Sequence, residues 1–290
     1  MLFRSGPAYP FAGYVNYGYG TSTDGLIVGG FFVPTTVSKS DVNSWNGTAF
    51  SAETSYPYII YGVACSANAP GSDGIAIGGS TYPPGTTRAT GFTYDGSTWS
   101  SIPSLSTARY LSLGGGPSTA MSVVGGSPGV SNREDYNGVS WSSGTNIPSG
   151  THVENGMSLV GPASDLTIAG GRDAPAAPYP GQGYNWDGTS WTTFPKAPSN
   201  PGSNWYGNNT CFGSSSSNFY SGLGEYTGGK TNAIDLYDGT SWTSNVLTYP
   251  TPISWIGSTT SGNTSGSGGG IIVGGSDTSP TQPGLTNTYS

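Results

Sequence analysis

The sequence predicts an all-β fold in which six four-stranded antiparallel units close into a ring. Two recurring phrases and their spacing carry this prediction. The first phrase is an aromatic residue, Asp-Gly or Asn-Gly, two further residues and a second aromatic residue; the second is an apolar strand that ends in Gly-Gly. One such unit cannot bury both faces of its own sheet, so the units must stack on one another.

The first phrase reads Tyr-Asp-Gly-Thr-Ser-Trp at residues 237–242. Asp-Gly or Asn-Gly between apolar runs is a strong hairpin signal, because both residues tolerate the positive φ angles that a type I′ turn needs. We therefore expect each copy to join the third and fourth strands of a unit. The other copies occupy residues 45–50, in a weaker form that ends in Phe50, and residues 94–99, 136–141 and 186–191.

The second phrase is clearest at residues 26–30, Leu-Ile-Val-Gly-Gly. Its copies end at the glycines numbered 30, 79, 126, 171, 229 and 275, and the copy ending at 229 is the weakest. A period of roughly 45 to 50 residues is that of four-stranded propeller blades. We expect the phrase to form the second strand of each unit, after a first strand such as residues 109–113.

The repeat resembles the kelch family of β-propellers, whose marks are the apolar strand with double glycine, then a Tyr, then a Trp about six residues later. Five complete copies and two partial ones cover essentially the whole chain, residues 1–290, as one domain. The Asp-Gly turn and the 8% of charged residues are more similar to the repeats of environmental bacterial and phage proteins. That resemblance implies a virion-attached, tail-associated or cell-surface setting.

The chain ends are expected to complete the ring. Six Gly-Gly strands but only five complete turn phrases imply that the sixth phrase is split between the termini. Residues 286–290 look like a third strand, and residues 3–7 look like a fourth strand when compared with residues 191–195. We therefore expect a six-bladed β-propeller whose last blade contains an N-terminal strand 4 and a C-terminal strand 3, which removes exposed sheet edges.

Composition excludes several classes of partner. The net charge is −7 and no basic run occurs, which argues against nucleic acid and anionic membranes. No apolar run approaches the roughly 20 residues of a membrane span, and no secretory signal is visible, although we expect an extracellular or virion-associated location. One His and two Cys supply no metal cluster, so we expect no metal and no cofactor. Cys65 and Cys211 should be buried thiols on first strands of opposite blades, too far apart for a disulfide.

The first strands begin near an aromatic residue or His at a repeated position. In four units this residue lies eleven positions after the fourth-strand aromatic; in the last two the offset slips. Because first strands line the axis of a propeller, we expect these side chains at the channel mouth. They either pack against the neighbouring first strand or form an aromatic floor for a sugar or peptide. They are Tyr14, Tyr61, Tyr110, His152, Tyr206 and Trp255.

A second set of candidates lies in the loops between strands 2 and 3 and between blades. These loops share the face opposite the Asp-Gly turns and vary in length and content, and variable loops on a rigid scaffold commonly carry function. The turns are short and uniform, so we expect their face to be scaffold. The loop-face candidates for ligand contact are Arg88, Arg172, Asp173, Asp277, Tyr82 and Tyr179. The alternative for the four charged residues is that they are solvated loop positions, since such residues are mostly exposed in any case.

Catalytic residues are not indicated. His152 has no nucleophile in motif context, and a glycosidase needs two carboxylates at a set separation, which the sequence does not define. The resemblance to kelch propellers also raises the copper oxidase activity that some of them have. That activity needs two His residues and a Cys-linked Tyr, and this chain has only one His, so it is excluded.

We therefore expect a non-enzymatic binding or adhesion module that recognises a glycan, or a protein on a cell surface or virion, through its loop face. The alternatives are a carbohydrate-active enzyme, either an epimerase or a hydrolase, with its site at the channel mouth, and a structural decoration or spacer protein. The sequence leaves the oligomeric state open.

Overall fold

A computed structural model of the chain describes residues 3–10, 13–14, 17–32, 35, 37–67, 70–148, 158–160, 163–169, 183–195, 197–199, 210–226, 229–253, 257–259, 270–273 and 286–289. These residues form a β-propeller of strands and turns and contain no helix. Within this part of the chain, then, no helix is long and apolar enough to cross a membrane.

The first half of the chain contributes seventeen of the described strands. They are β1 (Phe3–Ser5), β2 (Gly13–Tyr14), β3 (Tyr17–Gly20), β4 (Gly25–Val28), β5 (Phe31–Phe32), β6 (Val37–Ser38), β7 (Val42–Trp45), β8 (Phe50–Ala52), β9 (Tyr61–Cys65), β10 (Gly74–Thr81), β11 (Thr86–Thr87), β12 (Gly91–Tyr94), β13 (Trp99–Ile102), β14 (Leu113–Gly115), β15 (Ser122–Val124), β16 (Arg133–Tyr136) and β17 (Trp141–Ser143).

The second half contributes thirteen more. They are β18 (Ser158–Val160), β19 (Leu166–Ala169), β20 (Gly183–Trp186), β21 (Trp191–Phe194), β22 (Thr210–Ser215), β23 (Asn218–Gly222), β24 (Glu225–Tyr226), β25 (Gly229–Lys230), β26 (Ala233–Tyr237), β27 (Trp242–Thr248), β28 (Gly257–Thr259), β29 (Gly270–Val273) and β30 (Thr286–Tyr289).

Counted over the described residues, five sheets of four or more strands form the blades. Blade 1 has eight strands in the order β1-β30-β29-β28-β3-β4-β7-β8. Blade 2 has the order β11-β10-β12-β13, with β9 also paired to β10. Blades 3, 4 and 5 have the orders β14-β15-β16-β17, β18-β19-β20-β21 and β22-β23-β26-β27.

The prediction of six separate blades is therefore wrong. Strand β28 pairs in parallel with β3, with Ser258 opposite Tyr17 and Thr259 opposite Gly18. The four strands predicted as a sixth blade are thereby continuous with the first blade in one sheet. Counting repeats could not detect this, because the phrases mark strands within a unit and not hydrogen bonds between the inner strands of neighbouring units.

The predicted pairing of the chain ends is confirmed. Strand β1 runs antiparallel to β30, with Phe3 opposite Tyr289 and Ser5 opposite Asn287. The inner strands then adjoin in chain order: β9 lies beside β3 and β14, and β18 lies beside β14 and β22. This arrangement places the inner strands around the axis, as expected for first strands of a propeller.

Each copy of the turn phrase forms the predicted hairpin, but the turn is not of type I′. Only the glycine has a positive φ, between 89° and 94° in the five copies, whereas type I′ requires it at both central residues. The loop instead contains four residues, and the carboxylate of Asp95 accepts hydrogen bonds from the N–H groups of Ser97 and Thr98 at 2.9 and 2.7 Å. A side chain that replaces a backbone acceptor in this way favours the longer loop.

The tryptophan that ends the phrase joins neighbouring blades. Its indole N–H donates to a backbone carbonyl of the preceding blade at 2.7–2.9 Å, and its ring packs against the aromatic residue that begins the phrase. One phrase thus supplies a hairpin and a contact between sheets. The donor and acceptor pairs are Trp99 with Thr54, Trp141 with Pro103, Trp191 with Thr145, and Trp242 with Pro195.

One Gly-Gly assignment is corrected. The second strand of blade 5 is β23, and the phrase ending at Gly229 instead lies in an additional hairpin, β24–β25. The strand ends before Leu223 and Gly224, which have φ angles of 60° and 100° and take the place of the glycine pair. With Gly224 in place of Gly229, the spacing from Gly171 falls from 58 to 53 residues, so the misassigned phrase explains only part of the long spacing at this point of the repeat.

Acid is expected to weaken the fold through the turns. Hydrogen bonds from the loop hold the pKa of the Asp95, Asp187 and Asp238 carboxyls well below the usual range. A carboxyl with a depressed folded-state pKa contributes stability that is complete above its unfolded pKa of about 3.9 and is lost as the pH falls below it. Thermal unfolding followed by circular dichroism should therefore show a steady Tm at neutral pH and a falling Tm below about pH 4.

The chain supplies the matched control for this experiment. In two copies of the phrase Asn46 and Asn137 cap the same loop with an amide oxygen, which does not titrate. A variant in which all three aspartates are replaced by Asn should fold and show a flatter dependence of Tm on pH. A profile as steep as that of the wild type would assign the acid sensitivity to other groups.

Candidate binding surface on the loop face

Three of the predicted tyrosines occupy one repeated backbone position. Each pairs with the residue that directly follows a Gly-Gly pair: Tyr14 with Phe31, Tyr61 with Ser80, and Tyr110 with Ser127. In blade 2 the register places Tyr61 at the end of the sheet remote from the Asp-Gly turn, because β10 pairs Gly74 with Tyr94 at its other end. These tyrosines therefore lie on the loop face.

Four rings on this face form a continuous row. The Tyr61 ring contacts the Phe31 ring at 5.4 Å and the Tyr110 ring at 5.6 Å between centroids, both edge to face. The Phe31 ring contacts Tyr82 at 5.7 Å. Tyr82 is 45% exposed, and the other three residues are half-buried. We call Phe31, Tyr61, Tyr82 and Tyr110 the aromatic row.

The backbone braces the row from two blades. Strands β2, β5 and β6 form a small sheet that carries Phe31. Ser38 of this sheet donates its N–H to the carbonyl of Tyr82 at 2.8 Å, and the N–H of Tyr82 donates to Oγ of Ser38 at 2.5 Å. Tyr82 follows β10 in blade 2. The two sheets that carry the row are therefore linked by one hydrogen bond between main-chain groups and one from the main chain to a serine side chain.

The backbone beside the row departs from the predicted strand. Residues 109–113 were expected to form a first strand, but β14 begins only at Leu113. Leu111 has a φ of 54°, and Gly62 at the same repeat position has a φ of 67°. A left-handed conformation costs a leucine about 1–2 kcal/mol. Such strain is retained where the surroundings fix it, and it clusters at binding sites; here the kink lets Tyr110 pair with Ser127 before the chain enters the sheet.

Cationic groups lie near the row without joining it. The guanidinium of Arg88 packs over the Tyr58 ring at 4.0 Å from its centroid, and Lys39 Nζ lies 4.9 Å from the centroid of Phe32. Nε of Arg88 is buried and has no hydrogen-bond partner among the described residues. Ile59, next to Tyr58, is 42% exposed. The surroundings of the row are thus apolar with a few positive groups.

Several predicted site residues lie outside the description. The structure describes only the backbone of Tyr14. The others, which remain predictions, are His152, Arg172, Asp173, Tyr179, Tyr206, Trp255 and Asp277. Sequence reasoning missed Phe31 as a site residue. The sequence does contain a signal for Phe31: it directly follows Gly29-Gly30, and this is the position that pairs with the repeated tyrosine.

Many of the described carboxylates form hydrogen bonds or ion pairs within the fold. Glu134 forms a buried ion pair with Arg109 and accepts the Ser106 N–H at 2.8 Å. Asp235 accepts the N–H groups of Ser199 and Asn245 at 2.6 and 2.7 Å. No group of three or more metal-ligating side chains occurs in the described ranges.

The prediction of two buried thiols without a disulfide is confirmed, but their placement in opposite blades assumed six separate blades and is not retained. Cys65 on β9 and Cys211 on β22 are buried and do not form a disulfide. Burial raises the pKa of the Cys65 thiol well above its usual value, so this thiol stays protonated and unreactive at neutral pH.

No protein-family model matches this chain, and no curated protein matches it. The β-propeller that the kelch resemblance implied is present in the structure. The narrower likeness to kelch proteins and to bacterial and phage repeats rests on the repeated phrases alone.

Proposed function

We propose that the chain is a non-enzymatic binding module that recognises a glycan through the aromatic row. The supporting observation is the contact of four rings in sequence, none of them fully buried, on a backbone that is braced from two blades. Tyrosine offers flat apolar area and one hydroxyl at low cost in conformational entropy, which suits stacking against the faces of sugar rings. The net charge of −7 favours a neutral or cationic ligand over a polyanionic one.

The proposed setting is a virion or a cell surface, because the turn phrase and low charge resemble those of environmental bacterial and phage repeat proteins. A carbohydrate-active enzyme is the weaker candidate, since hydrolysis needs two carboxylates at a set separation. Glu134 and Asp235 hold structural hydrogen bonds instead, and Asp95 caps a turn.

Replacing Tyr61 with Ala is expected to weaken glycan binding by at least about tenfold, because central tyrosines are among the few interface residues whose truncation costs about 2 kcal/mol or more. Tyr61 is the ring that touches two others in the row. The purified full chain is first applied to an array of immobilised glycans. The affinity for the strongest binder is then measured by titration calorimetry for the wild type and for Tyr61→Ala.

Two variants serve as controls. Tyr61→Phe keeps the ring and should retain most of the affinity. Val139→Ala alters a residue that is 76% exposed on a turn and should bind like the wild type. Absence of binding to every glycan by the folded wild type would contradict the proposal and favour a spacer or a protein ligand. Equal affinities for the wild type and Tyr61→Ala would place the site elsewhere.

A further inference from the structure

An open groove of about 420 Å³ lies on the opposite face, between the turns of blades 2 and 3. Its volume falls within the roughly 300–1,000 Å³ typical of small-molecule sites. The groove interrupts the face that the uniform turns led us to expect as scaffold. Its described lining includes Ser72, Asp73, Tyr94, Asp95, Thr119 and Tyr136.

Comparison between blades shows that the Asp73 carboxylate has no hydrogen-bond or ion-pair partner among the described residues. Asp24 holds the same repeat position in blade 1, directly before the glycine that begins the second strand, and its Oδ1 accepts the N–H of Gly71 at 3.1 Å. That hydrogen bond ties blade 1 to blade 2. The carboxylate of Asp73 accepts no hydrogen bond and forms no ion pair with any described residue. Its lone pairs are therefore open to a ligand in the groove.

Two hydroxyl groups beside Asp73 are also open. Ser72 and Thr119 hold equivalent positions in blades 2 and 3, where each packs under the glycine of its turn. Neither hydroxyl bonds to a described residue. By contrast, the hydroxyl of Tyr136 donates to the carbonyl of Gly138 at 3.0 Å. The groove thus presents one carboxylate and these two hydroxyls, while the hydroxyl groups of Tyr94 and Tyr136 in its walls are already hydrogen-bonded.

We propose that this groove binds a neutral saccharide or polyol, as a second site independent of the aromatic row. Adjacent hydroxyls of the ligand donate to the two oxygens of Asp73, and Ser72 and Thr119 exchange hydrogen bonds with its remaining oxygens. An anion would be repelled by Asp73 and Asp95. A calcium ion needs six to eight oxygen ligands, and the described residues supply no cluster of that kind. An ammonium ion would use the carboxylate but leave the hydroxyl donors unused.

The test uses the full chain labelled with ¹⁵N and titrated with glucose, galactose and mannose, one at a time, in the millimolar range. For at least one sugar the amide signals of Ser72, Asp73 and Thr119 should shift and saturate. Asp73→Asn should weaken that binding by at least about tenfold, because hydrogen bonds to a charged acceptor are the stronger kind. Ser72→Ala should weaken sugar binding severalfold. This variant tests the proposal if Asp73→Asn does not fold.

The controls separate this site from the loop face and from the framework. Asp24→Asn changes the same repeat position where the carboxylate is already bonded, so it should alter stability but not sugar affinity. Tyr61→Ala should leave binding in the groove unchanged, whatever it does to glycan binding on the loop face. The proposal is overturned if none of the three sugars gives saturable shifts, if Asp73→Asn binds as tightly as the wild type, or if calcium saturates the groove in an Asp73-dependent manner.

Discussion

Removing the side chain of Glu134 is expected to lower the free energy of unfolding by about 3–5 kcal/mol. Glu134 neutralises Arg109, whose side chain is completely buried, and the Glu134 side chain is itself only 5% exposed. Burial lowers the pKa of Arg109, while the neighbouring Glu134 raises it. In Glu134→Ala the guanidinium would remain buried without its counterion, and the N–H of Ser106 would lose its acceptor.

Urea unfolding followed by tryptophan fluorescence measures this loss. The matched control is Asp135→Asn in the next residue, where the pair with Arg133 is 31% exposed on the Asp side. The Arg133 side chain is 5% exposed, but it keeps a hydrogen bond to the Ala163 carbonyl and a stacking contact with Trp186. The amide oxygen of Asn can still accept hydrogen bonds from Arg133 and Ser122, so Asp135→Asn should cost less stability than Glu134→Ala.

A double variant separates the buried charge from the packing. Arg109→Met combined with Glu134→Gln should recover a large part of the loss, since replacing both members of a buried ion pair is far less costly than removing one. A Glu134→Ala protein no less stable than Asp135→Asn would show that the buried pair is not a structural requirement.

Deleting residues 1–6 is expected to lower the Tm, because each kcal/mol of lost stability shifts the Tm by roughly 2–4 °C in domains of about 150–250 residues and somewhat less in a longer chain. The deletion removes β1 and leaves β30 as an exposed edge with unpaired backbone groups. Scanning calorimetry gives the transition directly. The truncated chain should also associate more readily with itself, which light scattering at the same concentration would detect.

The control for the deletion lacks only residues 1–2. It retains all three paired residues of β1, from Phe3 to Ser5, and should unfold at the wild-type temperature. If the longer deletion left the Tm unchanged as well, the pairing of the chain ends would not contribute to stability.

Hairpins and blade units were predictable from the sequence because each is a local pattern. The phrase at residues 94–99 forms the hairpin β12–β13 as predicted, since Asp95 and Gly96 act within a few residues of chain. The pairing of the ends was also predictable, because the missing strand of one unit had to be supplied by the other terminus. The shape of the turn was not predictable in this way. The four-residue loop is selected by hydrogen bonds to the carboxylate, and a propensity for positive φ does not describe those hydrogen bonds.

Contacts between units were the part that sequence reasoning could not supply. The parallel pairing of β28 with β3 joins two units into one sheet and reduces the blades to five. Phe31 enters the aromatic row because the blade 1 loop folds against blade 2 through Ser38. The open carboxylate of Asp73 became visible only through comparison with the bonded carboxylate of Asp24.

The most direct test of the account is a disulfide across the joined termini, because that closure sets the inner strands and the aromatic row around one axis. Arg4 and Thr288 face each other in β1 and β30, and paired residues of antiparallel strands lie within the reach of a disulfide. Arg4→Cys/Thr288→Cys should oxidise within one chain, which makes its unreduced mass about two daltons lower than that of the dithiol. Arg4→Cys/Asn287→Cys joins positions that are one residue out of register between β1 and β30, and successive positions of a strand lie on opposite faces of its sheet, so this pair should stay reduced. A facing pair that remains fully reduced, or that links only separate molecules, would contradict the closed ring.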